Sequence, residues 1–317
     1  MEMWHNVVVD CSDLFIYLKG KRMESIQQIV SDLQEKTAVP SLVLKTQQGR
    51  STSIVGSKFG GEPYLPPDFD YPLSSEGQPL KLLAQLNFAE LLLFDGDSED
   101  ELIGELENFP TSGILQFYIL PSDVFGVNFD DPTKQDEFRI VYHADVQPEN
   151  HQAQMLPEIV LDDDENIFPF DDEFILEAVL EDSSMRPEDF RLEEMSPELG
   201  ELYAQAADKV NAAISDQDYV DAMLELSKID EVLFGELGDR GGHRVGGYPA
   251  FTQHDPRGNP DKDFEVLDTL LLQIDSEFDE EGAGIMWGDM GVANFFIAAE
   301  DLRNLDFSRV LYTWDCY

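Results

Sequence analysis

Positive charge is what this chain has least of: 20 lysines and arginines stand against 66 aspartates and glutamates, a formal net charge of −46 at pH 7. A surface so short of cations disfavours phosphate-bearing partners and anionic membrane surfaces, so neither nucleic acid nor membrane is expected as a partner. Cysteine is nearly absent. Cys11 and Cys316 lie at opposite ends, form no CxxC spacing, and read as free thiols of a reducing cytosol. No stretch approaches the roughly 18 consecutive apolar residues of a membrane span, and Met1 to Cys11 lacks the basic then apolar pattern of a secretory leader, so a cytoplasmic location is expected. Phosphate-loop, dinucleotide, G-x-S-x-G and Cys-His signatures are also missing, and no cofactor is expected.

What is present is enough apolar residue, 42% of 317, to bury a core, which separates the chain from a disordered acidic tail. The acidity attracts basic partners or cations. Adaptation to high salt, or plain solubility, is the bland alternative.

Ile26, Ile29, Val30 and Leu33 share one helical face near the N-terminus. From Ser41 onward, short β-branched and aromatic runs punctuated by glycine and proline read as strands and turns. Four blocks then recur in one order. Gly60-Gly61-Glu62-Pro63 returns as Gly246-Gly247-Tyr248-Pro249, and Leu83-Ala84-Gln85-Leu86-Asn87 as Leu271-Leu272-Gln273-Ile274-Asp275. Gly113 to Ile119 returns as Gly291 to Ile297, and Arg139-Ile-Val-Tyr142 as Arg309-Val-Leu-Tyr312. Four blocks in one order point to an internal duplication, with unit one at 41–146, unit two at 241–317, and an insert at 147–240 between them. The insert carries 17 acidic residues against Arg186 and Arg191 between Glu158 and Glu201. It ends in an expected helical hairpin over 196–235, opened by the Ser196-Pro197 cap and broken near Ser215-Asp216.

Chemistry-bearing residues are few. His143 and His254 each have an aspartate nearby, Asp145 and Asp255, but no nucleophile signature accompanies them, and they read as exposed strand-end or loop histidines. Asp162, Asp164, Asn166 and Glu173 fall at positions 1, 3, 5 and 12 of a calcium loop. Ile167 occupies the sixth position, which normally needs glycine, so a solvated acidic loop is the simpler reading. The two Gly-Gly pairs with Pro63 and Pro249 read as turns entering strands. Gln85, Gln273, Arg139 and Arg309 read as structural, each arginine being expected to find a carboxylate. Trp287, Trp314, Phe117, Phe295 and Phe296 read as core rather than a base-stacking platform.

Gly60-Gly-Glu-Pro-Tyr-Leu-Pro66, Leu82-Leu-Ala-Gln-Leu-Asn87, Gly113-Ile-Leu-Gln-Phe-Tyr118, Met286-Trp-Gly-Asp289 and the tail Leu311-Tyr-Thr-Trp-Asp-Cys316 together resemble the bacterial YwqG family, from about Ser41 to the C-terminus. The first twenty or so residues lie outside the likeness, and Met23 is an alternative start. The resemblance implies an α+β, mainly β fold: duplicated β-rich units forming a roll, with an N-terminal helix in segment 1–40 and the helical hairpin inserted into a 41–317 domain. A more distant similarity to the eukaryotic programmed-cell-death-2 proteins implies escort of a basic ribosomal protein, and other relatives look like immunity proteins against toxins. No catalytic residue set accompanies any of these roles. The expectation is therefore a non-enzymatic module that captures a basic protein, with Asp162, Asp163, Asp164, Asp171 and Asp172 contributing to capture. The alternative is a metal-dependent hydrolase built on clustered carboxylates.

Overall fold

The protein is described here by a computed structural model covering residues 21–92, 106, 108–152, 157, 168–186, 188–201, 204, 208, 212, 215, 217–220, 241–278 and 284–317. It forms two compact units, one from residues 1–38 with 184–238, the other from 39–183 with 239–317.

In the first unit, helix α1 (Lys21–Thr37) buries Val30, Leu33 and Thr37, which repeat at three- and four-residue spacing. Thr37 Oγ1 donates to the Leu33 carbonyl at 2.7 Å and accepts the Met185 N–H at 3.0 Å. Of the expected hairpin, residues 197–201, 204, 208 and 217–220 are described and helical. Ser215 Oγ accepts the Asp218 N–H at 3.1 Å, a helix N-cap at the expected break. The rest of the hairpin lies outside the described residues.

The second unit is mainly β. Its strands are β1 (Val39–Gln48), β2 (Lys58–Phe59), β3 (Lys81–Asn87), β4 (Ile114–Ile119), β5 (Phe138–His143), β6 (Phe174–Ser183), β7 (His243–Gly246), β8 (Thr269–Asp275), β9 (Glu277–Phe278), β10 (Gly284–Ile285), β11 (Val292–Ile297) and β12 (Leu311–Asp315). All but β9 and β10 join one curled ten-stranded antiparallel sheet, in the order β12-β11-β8-β7-β1-β6-β2-β3-β4-β5. The stretch 147–240, expected to lie between the repeat units, supplies β6 to the middle of this sheet, paired along its length with β1 from Val39↔Ser183 to Gln48↔Phe174.

Read inward from either edge, the two halves of the sheet correspond strand for strand. Lys58 pairs with Gln85, and Arg244 with Gln273. Gln85 faces Gln116, and Gln273 faces Asn294. The register slips past Leu83 on β3 and past Leu271 on β8, so the same bulge recurs. The last block departs from the sequence alignment. Phe117 pairs with Ile140 whereas Phe295 pairs with Tyr312, so Tyr312 occupies the place of Ile140, two residues from the expected match with Tyr142. Arg139 and Arg309 are accordingly not counterparts. Arg139 donates to the Gln135 carbonyl at 2.9 Å, not to a carboxylate, while Arg309 meets Asp263 at 2.9 Å on the surface.

The core lies where the halves face each other. Phe117 of β4 meets Phe295 of β11 edge-on at 5.0 Å, Phe138 meets Tyr312 at 5.3 Å, and Phe295 stacks on Tyr312 at 4.4 Å. Trp287, Phe295, Phe296 and Phe117 are fully buried. On the opposite face of the sheet, loops cover β3, β4, β8 and β11, and a covered loop must have its backbone polar groups satisfied. Gln85 does this in one half: its Oε1 accepts the Tyr64 N–H at 2.8 Å, and its Nε2 donates to the Ile54 and Gly56 carbonyls, both at 2.9 Å. Gln116 Nε2 completes the set by donating to Gln85 Oε1 and to the Tyr64 carbonyl, both at 2.8 Å. In the other half Gln273 Oε1 accepts the Ala250 N–H and its Nε2 donates to the Gly242 carbonyl, both at 2.7 Å, while Asn294 Nδ2 reaches the Ala250 carbonyl at 2.9 Å.

Gln85→Leu strips four hydrogen bonds from buried groups, so a loss of about 3 kcal/mol or more is expected in denaturant unfolding, with a smaller loss for Gln273→Leu, which strips two. A Gln85→Leu cost below about 1 kcal/mol would show that the loop does not depend on the carboxamide.

Candidate functional site

Two neighbouring turns and a third segment more than a hundred residues further along the chain meet at one end of β6. The first is the turn after β1, Gln48 to Ser51, the second the Gly60-Gly61-Glu62 turn after β2, and the third Asp171-Asp172-Glu173 just before β6. Together with Ile54 and Lys58 they line a cavity of about 810 Å3.

Each segment is placed by an identifiable interaction. Phe170 packs on Phe174, Phe168 and Phe59 at ring distances of 5.7, 5.0 and 6.4 Å, which anchors the acidic run that follows it. The Glu173 carbonyl accepts the Gly49 N–H at 2.9 Å, and its side-chain Oε1 accepts the Ser51 N–H at 2.9 Å. Gly61 sits at φ +69°, and a Cβ there would strike the Glu173 carboxyl group, so only glycine lets that side chain cross the turn. Glu62 is held from the far side by His151, whose Nδ1 accepts the Leu65 N–H at 3.1 Å. The ring proton therefore sits on Nε2, which donates to Glu62 Oε1 at 2.9 Å.

The floor of the cavity is Lys58, only 2% exposed. Its ammonium pairs with Glu173 Oε1 at 3.8 Å, beyond hydrogen-bond length. Burial lowers its pKa, with Glu173 and Glu62 pulling the other way. Arg50 adds a second cation at the exposed rim, against Asp171 and Asp172, both exposed, and the partly buried Glu173.

Of the residues singled out from sequence, Gly61, Asp171, Asp172 and Glu173 come together here. Asp162, Asp163, Asp164 and Asn166 lie outside the described residues, and among the described residues no group of three or more histidines, cysteines, aspartates and glutamates is arranged to hold a metal ion. Gly60, Pro63, Gly246, Gly247 and Pro249 sit in the two turns beneath the covering loops, with both prolines buried. His254 is exposed, and its neighbour Asp255 is buried against Arg257 at 2.7 Å, so no His254–Asp255 pair forms. His143 is buried rather than exposed. It turns from Asp145 and hydrogen-bonds Gln116 Oε1 through Nε2 at 2.9 Å, and burial brings its pKa down to about 4. Sequence reading missed Arg50, Lys58 and Glu62. The one available signal was a cation two residues before each Gly-Gly pair, Lys58 and Arg244.

No described helix is long and apolar enough to cross a membrane. Fold and cavity define a mainly β protein with a polar, charge-lined pocket. The chain belongs to the family described as a domain of unknown function, DUF1963, whose model matches residues 57–316. No curated protein matches the chain.

Two expectations follow. Gly61→Ala must adopt a left-handed backbone and displace Glu173, so a loss of about 1–2 kcal/mol is expected in unfolding experiments, together with loosening of the 48–51 turn visible in its amide exchange. His143 stays neutral in the folded protein down to about pH 4, whereas the unfolded chain takes up its proton near 6.5. Its contribution is thus complete above pH 6.5 and is lost as pH falls from there through 4, at about 1.4 kcal/mol per unit in the middle of that window. The pH dependence of His143→Gln should be flatter than the parent's across that range. Parallel curves would refute the assignment.

Proposed function

We propose that this protein is a non-enzymatic binding module that captures a basic segment of another protein at the carboxylates around this cavity. The observation that carries the reading is the convergence of Glu62, Asp171, Asp172 and Glu173 on one polar cavity in a chain of net charge −46. Such a field draws cationic partners in quickly and repels anionic ones. The likeness to the YwqG family fits this reading, and the proposal extends to a cytoplasmic setting and to a partner that is a ribosomal protein or a cationic toxin. A duplication origin is part of the same proposal: paired bulges at Leu83 and Leu271 and paired carboxamides at Gln85 and Gln273 support it. A metal-dependent hydrolase has less support, because among the described residues no three carboxylates or histidines are grouped to hold a metal ion and two cations, Arg50 and Lys58, share the cavity lining.

Association of a fluorescent lysine- and arginine-rich peptide should slow steeply with salt, since exposed charges are screened over about 8 Å at physiological ionic strength. Asp171→Asn combined with Asp172→Asn should slow it further at low salt while leaving the melting transition in place. An association rate indifferent to both salt and these substitutions would reject the reading.

A further inference from the structure

The two halves of the sheet place a buried cation at the same position and treat it differently. Lys58 and Arg244 each precede a Gly-Gly pair by two residues and each pair with a sheet glutamine. The Arg244 guanidinium donates to the Gly241 carbonyl at 3.0 Å and to Ser183 Oγ at 3.4 Å, and a Cβ on Gly247 would strike Ser183 and Ser41. By register Gly246 faces Ser41, while in the other half the residue next to Phe174, which faces Phe59, is Glu173. Small serines thus pack against the glycine turn in one half, whereas the other has a longer acidic side chain, a cavity lined by Lys58, and an ammonium whose ion pair with Glu173 spans 3.8 Å.

A buried ammonium facing a cavity favours an anion there. A simple anion would have to enter against the charge of the whole chain and pass Asp171 and Asp172. A ligand carrying its own cation beside its carboxylate avoids that cost, because the same carboxylates that repel an anion hold an ammonium or guanidinium. Resting on the binding reading above, we infer that the cavity takes an α-carboxylate together with a basic side chain: the carboxylate on Lys58 with Arg50 at the rim, the cation on Asp171, Asp172 and Glu62. Free lysine or arginine offers this chemistry, and so does the C-terminal residue of a chain that ends in one of them. The volume of the cavity, about 810 Å3, exceeds what one amino acid fills and suits the chain terminus.

The test uses the whole protein and four probes in titration calorimetry: the peptide Gly-Gly-Lys with a free C-terminus, the same peptide amidated, free L-lysine, and cadaverine. The free-acid peptide should bind about tenfold or more tightly than the amide, because a charge-assisted contact is lost on amidation. Lys58→Met should bring the ratio of acid to amide affinity down to about one. Should Lys58→Met fail to fold, Arg50→Gln gives the same comparison at an exposed position, with a smaller loss of discrimination. L-lysine binding as tightly as the peptide would assign the site to the free amino acid, and weaker binding of L-lysine would assign it to chain termini; both support the inference. Equal affinity for acid, amide and cadaverine overturns it yet leaves capture of cations standing. No binding by any probe overturns both.

Discussion

A carboxamide in the middle of a sheet strand is the interaction on which the rest of this structure depends. Gln85 and Gln273 are completely buried, and each offers an acceptor to a loop N–H and a donor to a loop carbonyl. A loop lying on a sheet face loses water on the side of its backbone that faces the sheet. Without side chains to replace that water, each unsatisfied group costs about 1–3 kcal/mol. The glutamines allow both faces of β3 and β8 to be covered, one by the facing half of the sheet and the other by the loop that follows each Gly-Gly turn. That in turn holds the Gly60-Gly61-Glu62 turn against Glu173 and sets the wall of the cavity.

At the cavity the two matching halves of the sheet differ through side-chain length. Two glycine turns, two cations and two glutamines are shared between the halves. The difference comes from the strand alongside, where Glu173 stands in one half and Ser41 in the other. A carboxylate reaching over Gly61 opens space and charges it. A hydroxymethyl group against Gly247 fills space and hydrogen-bonds the backbone, as Ser41 Oγ does to the Gly246 carbonyl at 3.3 Å.

Much of this was legible in the sequence, and what was not has physical reasons. Gly-Gly, Gln85 and Gln273 stood out because glycine at positive φ and glutamine in an apolar strand have few substitutes, so their recurrence at matched spacing is informative. The last block misled by two residues. A shift of two preserves which face each side chain occupies, so Arg139-Ile-Val-Tyr142 and Arg309-Val-Leu-Tyr312 match in class even though Tyr312 is buried and Tyr142 lies at the boundary. The strand β6 was hidden because its outward residues, Glu177 and Glu181 among them, belong to an acidic run that reads as solvated. The cavity was invisible for another reason: Arg50, Lys58 and Glu173 meet only after β1 and β6 pair, across more than a hundred residues of chain. His143 reads as a surface histidine until β4 brings Gln116 beside it.

The central strand β1 begins at Val39, yet its two neighbours are β6, ending at Ser183, and β7, beginning at His243. The earliest strand among the described residues therefore waits until residue 183 has been made before either of its edges is occupied. Pairings this distant close slowly, and a strand edge whose N–H and C=O groups stay unpaired in the meantime invites intermolecular pairing. In that interval the surplus of carboxylates has a use independent of any ligand, since mutual repulsion between nascent chains keeps those unfinished edges from finding one another.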